Sequence, residues 1–183
     1  MAKSVDRAVA ALRAGGVIAY PTEAVWGLGC DPLNQDAVAR LFELKQRPTD
    51  LGVLLIGASF EQVQPFIGAC PDAAIERARA SWPGPHTWVF PSSTLVPPWI
   101  SGRHPGIGLR VSDHPVPRAV CTGFGAPMVS TSANVHGHAV ARNRAEVEAS
   151  FGLMLDAIVD GELGGLEQAT PIRDAITGEW LRG

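Results

Sequence analysis

A chain of 183 residues, 46% hydrophobic and 18% charged, has the composition of a globular protein and the size of one domain, residues 1–183. No apolar run approaches the ~20 residues that cross a bilayer, and Asp6 and Arg13 interrupt the opening MAKSVDRAVAALRAGG, which excludes a secretory apolar segment and makes the cytoplasm the expected location. A net charge of −3 argues against a generally basic nucleic-acid binder.

Ser4 is placed to cap a helix whose apolar positions Val5, Ala8, Val9 and Leu12 recur at i, i+3, i+4 and i+7, and Gly15-Gly16 ends it. Residues 17–20 (VIAY) read as a buried strand closed by Pro21, with a loop over PTEAVWGLGCDP after it. A helix follows over about 34–44, carrying Val38, Leu41, Phe42 and Lys45 along one side. After QRPTD, residues 53–56 form another buried strand, Ser59 caps the next helix, and a further helix spans 72–80. Strands are expected over 87–90 and 106–111, then a helix begun by Pro115 and a strand ending at Ser130. A helix over 143–150, a strand near 157–159 and a TPIRDAITGEWLRG hairpin complete the chain. Alternating elements with short connections imply an α/β fold: a single domain with a twisted, mixed parallel/antiparallel sheet flanked by helices.

Familiar nucleotide and catalytic motifs are missing. The chain holds no GxxxxGK[ST], GxSxG or HExxH, and GLGCDP lacks the third glycine of a dinucleotide fingerprint. Cys30, Cys70 and Cys121 form no CxxC pair, so they are expected as reduced thiols, with neither a disulfide framework nor a zinc site. His136 and His138 flank Gly137 with nothing nearby to complete a metal site.

Polar clusters stand instead at the ends of apolar strands and of one helix: Pro21-Thr22-Glu23, Lys45-Gln46-Arg47-Pro48, Arg110 with Asp113-His114-Pro115, and the run Ser130 to Asn134. Each has a plainer reading. Thr22 makes a turn, Lys45 and Arg47 complement a helix C-terminus, Arg110 pairs with Asp113 at the surface, and the hydroxyls cap. Together they offer hydroxyls, an amide and several cations without a catalytic dyad, which suits a polyanionic ligand.

The string GGVIAYPTEAVWGLGCDP, followed by LFELKQRP, WPGPHTWVFP, GLRVSDHP, VSTSAN and the TPIRD tail, resembles the signature of the YrdC-like threonylcarbamoyl-AMP synthase family. The likeness runs from about Val5 to Gly183 and is nearest the short bacterial branch. It implies a YrdC-like fold and a nucleotidyltransferase that condenses L-threonine, bicarbonate and ATP into threonylcarbamoyl-AMP, releasing pyrophosphate. The product would feed the downstream transferase machinery that modifies tRNA position 37, with direct tRNA contact left open. By the same resemblance Lys45 and Arg47 are the catalytic cations at the phosphates, and Ser132, Asn134 and Arg182 also hold ATP. Thr22, Arg110, Ser130 and Thr170 would hold L-threonine. Magnesium is expected to arrive with ATP, bridging phosphate oxygens, with no metal cage built by the protein. Some positions depart from the family pattern: Gly106 where relatives often bear a hydroxyl, and Asp50-Leu51-Gly52 in place of a proline–leucine step. The competing readings are an RNA-binding module, disfavoured by the acidic net charge, and a regulatory ATP or threonine sensor.

Overall fold

Helix α1 (Ala2–Arg13) buries Ala8, Val9 and Leu12 along one stripe, and Gly15 turns the chain away with φ +78°. Its N-cap is Met1, not Ser4. Ser4 lies inside the first turn, where its hydroxyl donates to Met1 O at 2.8 Å and accepts from Asp160 N at 3.1 Å. The residue therefore ties the helix to the distant C-terminal half instead of capping it. The computed structural model describes residues 1–167 and 170–182.

Strand β1 (Ile18–Pro21) is buried throughout. The expected loop after it contains a strand, β2 (Trp26–Gly29), paired antiparallel with β1. Trp26 and Leu28 enter the core on one face, while Gly27 and Gly29 clear the other for the Tyr20 ring. A Cβ on Gly29 would lie 3.0 Å from that ring and 2.7 Å from Val129 O. Glycine is depleted from strands in general, and that is why these residues read as loop.

Next come α2 (Gln35–Lys45), capped by Asn34, then β3 (Leu54–Gly57), α3 (Phe60–Val63) and α4 (Asp72–Arg79). Ser59 occupies the N-cap of α3 without making a capping bond. They lead to β4 (Thr87–Pro91), an unanticipated short helix α5 (Pro98–Ser101), β5 (Gly106–Val111) and α6 (Pro115–Phe124). The remainder is β6 (Met128–Ser132), α7 (Arg144–Ser150), β7 (Ala157–Ile158), and the hairpin of β8 (Ile172–Asp174) and β9 (Trp180–Arg182).

Among the described residues the strands form one nine-stranded sheet in the order β7-β1-β2-β6-β3-β5-β4-β8-β9. The β1/β7, β3/β5 and β4/β8 pairs are parallel and the rest antiparallel. One face carries Leu55, Trp88, Leu109 and Val129 in a core with Leu41 and Phe42 of α2 and Ala78 of α4. The opposite face packs Tyr20, Ile56 and Met128 on Leu12 of α1 and Val120 of α6. Ile56 stands opposite both Met128 and Arg110, so Arg110 belongs to this second face. The core beneath α1 and α6 thus adjoins the stretch of sheet that carries Arg110. That stretch opens as a cavity.

Cys30 and Cys121 are buried, Cys70 is half-buried, and all three are free thiols. No helix among the described residues is long and apolar enough to cross a membrane.

Candidate active site

The cavity holds about 720 Å³ and its floor follows strand alternation: Thr87 and Val89 of β4, Gly106, Gly108 and Arg110 of β5, and Ser130 and Ser132 of β6. The two glycines keep this floor low. A Cβ on Gly108 would lie 3.1 Å from Leu54 Cβ, and one on Gly106 would lie 2.9 Å from Phe90 O. Of the residues expected to bind ligands, Thr22, Arg47, Arg110, Ser130, Ser132, Thr170 and Arg182 line this one space. Lys45 and Asn134 stand behind it.

Arg110 is 4% exposed and does not pair with Asp113, which contacts Arg118 at the surface. Its partner is Glu23, which accepts from Nη2, while Nη1 reaches Thr170 Oγ1 at 3.3 Å. Ser112 Oγ donates to the second Glu23 oxygen at 2.8 Å and accepts from His114 N at 3.1 Å. Burial pulls the guanidinium down to about 10, so it stays cationic at neutral pH. The surface pairing with Asp113 fails because Arg110 is a strand residue facing the buried floor, whereas Asp113 follows the strand in the exposed turn. The sequence cluster contained Glu23, but the partnership spans 87 residues of chain, which no local pattern conveys.

Thr22 donates to Val25 O at 2.7 Å and so closes the β1–β2 turn, leaving its oxygen free to accept. Tyr20, fully buried, donates to Ser130 Oγ at 2.8 Å, which leaves the Ser130 hydrogen free to donate into the cavity. Arg47 follows the left-handed Gln46 (φ 47°) that ends α2, and its Nη2 bonds Gly52 O at 3.1 Å.

Lys45 is 2% exposed. Its ammonium donates to Ser132 O, to Asn134 O at 2.8 Å and to Asn134 Oδ1 at 3.2 Å. Burial, with a smaller push from Arg47, lowers it to about 7. The three oxygens act the other way, since a neutral amine has only two hydrogens to give. The Asn134 side chain is equally committed: Oδ1 also accepts from Ser132 Oγ at 2.7 Å, and Nδ2 donates to Val135 O and His138 O. Both residues therefore shape the loop that presents Ser132.

Arg182 reaches the cavity from β9 and donates to Thr170 O at 3.2 Å. The hairpin is pinned by Arg173, whose guanidinium lies 4.8 Å from the Trp88 ring and 4.7 Å from the Trp180 ring. Arg173 also bonds Gly178 O twice, and Arg77 donates to Ile176 O at 2.9 Å.

In sequence and in overall fold the chain is similar to known proteins. The Sua5/YciO/YrdC family model, described as telomere recombination, matches residues 10–182. The threonylcarbamoyl-AMP synthase of Xanthomonas campestris pv. campestris (strain B100) is 51% identical over 180 residues, 97% of this chain and 96% of that protein. The protein of the same name from Halorhodospira halophila (strain DSM 244 / SL1) is 53% identical over 97% of this chain and 93% of its own. The crystal structure of P. abyssi Sua5 complexed with L-threonine superposes with a TM-score of 0.88 at 32% identity. That match takes in 93% of this chain and 50% of Sua5, so the chain spans about half the length of that relative. E. coli YciO, at 23% identity and a TM-score of 0.84, shares the fold. With one family model over most of its length and relatives of half-identical sequence over nearly all of it, the chain belongs to the Sua5/YciO/YrdC family.

Proposed function

We propose that this protein is a threonylcarbamoyl-AMP synthase, joining L-threonine, bicarbonate and ATP with release of pyrophosphate. The observation that carries the reading is the convergence of Arg47, Arg110 and Arg182 with the hydroxyl residues Thr22, Ser130, Ser132 and Thr170 on one cavity, in a chain about half identical to proteins of that name. The reaction brings together a polyphosphate, an amino-acid carboxylate and a carbamate. Mutual repulsion of these anions has to be offset by fixed cations, and positioning supplies most of the remaining catalysis.

In this reading Arg110, steadied by Glu23, takes the threonine carboxylate, and Thr22, Ser130 and Thr170 surround the rest of the amino acid. Arg47 and Arg182 face the phosphates with Ser132. Lys45 and Asn134 act from beneath, holding the Ser132 loop while the Lys45 charge adds to the field. Magnesium enters on ATP; among the described residues no group of three His, Cys, Asp or Glu could hold a metal ion. The product passes to the transferase machinery for tRNA position 37, and any direct tRNA contact is secondary.

The test is pyrophosphate release from ATP and magnesium, with L-threonine or bicarbonate omitted in turn and with valine and serine as controls. Release that needs both substrates is expected. A valine rate equal to the threonine rate, or release indifferent to bicarbonate, would overturn the reading.

A further inference from the structure

Five buried side-chain polar atoms lack a hydrogen-bond partner among the described residues: Arg47 Nε, His86 Nδ1, Thr87 Oγ1, Ser92 Oγ and Arg110 Nε. Three of them belong to residues that line the cavity, namely Arg47, Thr87 and Arg110. A buried polar group without a partner is costly, and such groups gather where a ligand will satisfy them.

Two of the three are neighbours. The β4–β5 register pairs Trp88 with Leu109, and continuing it by one residue sets Thr87 opposite Arg110. Residues so placed share a face, with Cβ atoms about 5 Å apart. Gly108, on the same face, keeps the ground between them open, for a Cβ there would lie 3.4 Å from Thr87 Cγ2. Other contacts already hold both residues in place. Glu23 and Thr170 hold the terminal nitrogens of Arg110, and Thr87 N donates to Pro171 O at 3.0 Å. Arg110 Nε and Thr87 Oγ1 are left without a partner among the described residues, side by side on the buried floor.

We infer that Thr87 Oγ1 and Arg110 Nε form a two-donor pocket for one planar oxyanion, a carboxylate or carbonate. The inference rests on the synthase reading and adds Thr87 to the residues that touch substrate. Two substrates of that reaction carry the required chemistry: the amino acid through its carboxylate, and bicarbonate. Valine matches threonine in shape and lacks the hydroxyl, so Thr87→Val removes the donor without opening a void. Because the hydroxyl has no partner among the described residues, Thr87→Val leaves the thermal midpoint unchanged or raises it. A site kept for function at the expense of stability behaves in this way.

The experiment compares wild type, Thr87→Val and Thr87→Ser for KM and kcat with each of the three substrates, alongside thermal midpoints. In Thr87→Val one KM is expected to rise about ten-fold or more, the loss of one hydrogen bond to a charged group. A rise for L-threonine assigns the pocket to the amino-acid carboxylate, and a rise for bicarbonate assigns it to the carbonate. The ATP KM stays within about two-fold, and Thr87→Ser recovers most of the loss. Unchanged constants throughout overturn the pocket, and so does a lowered midpoint with equal losses in both variants. Wild-type protein that is inactive with threonine and bicarbonate defeats the synthase reading itself. Calorimetric titration of each anion into wild type and Thr87→Val then decides the pocket alone, equal affinities overturning it.

Discussion

The Arg110 guanidinium and the Glu23 carboxylate form a buried ion pair, with side chains 5% and 10% exposed, at the inner wall of the cavity. The pair fixes the orientation of Arg110 before any ligand arrives, through one terminal nitrogen, and Ser112 in turn fixes Glu23. Preorganised charge of this kind is what a site for an amino-acid carboxylate requires.

Glu23→Ala would leave a guanidinium buried without its counter-charge, which costs about 3–5 kcal/mol. Urea denaturation should show this loss, and saturating L-threonine should restore part of it by bringing a carboxylate to Arg110. Arg110→Ala should raise the threonine KM far more than the ATP KM. A Glu23→Ala protein as stable as wild type would show that the pair carries no structural weight.

Lys45 tests two roles against each other. A lysine that only faced phosphates could be replaced with loss of activity and no loss of stability. Here the ammonium serves three oxygens of the Ser132–Asn134 loop. Lys45→Met strands those acceptors and should cost about 1–3 kcal/mol as well as activity. Equal denaturation midpoints with abolished turnover would return Lys45 to a purely catalytic role.

The apolar periodicity of α1 and α2, the buried runs of β1 and β3 and the C-terminal hairpin were all legible, because each signal lies within a few residues of chain. What escaped was nonlocal. Strand β2 is half glycine because the Tyr20 ring crosses it, a reason that exists only once β1 and β2 have paired. The cavity residues were legible through the family resemblance, but burial of Lys45 beneath the loop and the pairing of Arg110 with Glu23 depend on segments 87 to 89 residues apart. Thr87 was legible only as part of the WPGPHTWVFP string and as a strand residue, an ordinary place for a threonine, and its hydroxyl stands out only because it lacks a partner among the described residues.

Arg173 links hairpin stability to the end of the cavity that holds Arg182. Its guanidinium lies between Trp88 and Trp180 and bonds Gly178 O. Arg173→Met forfeits both stacking contacts, worth about 1 kcal/mol each when partly desolvated, and frees the strand that carries Arg182. The ATP KM should rise several-fold while the threonine KM moves less. If both constants stay at wild-type values, the hairpin does not position Arg182.

His114 supplies a pH dependence whose sign follows from its contacts. Nε2 meets Glu162 O at 2.9 Å and Nδ1 accepts from Val116 N at 3.2 Å, so the neutral tautomer with hydrogen on Nε2 is the one that fits. A second proton on Nδ1 would point at an N–H. Burial pushes the imidazole below its usual value; the Glu162 carbonyl opposes this shift and the Arg110 charge reinforces it. Between that lowered value and about 6.5, the unfolded chain holds a proton that the folded chain refuses. Stability is therefore full above about 6.5 and falls as pH drops through the window. His114→Gln stays neutral throughout and can still accept from Val116 N. Wild type should lose stability relative to His114→Gln as the pH falls below about 6.5 in urea denaturation. Parallel curves for the two proteins would mean that His114 takes up its proton equally well folded and unfolded, and that the Val116 contact does not exclude it.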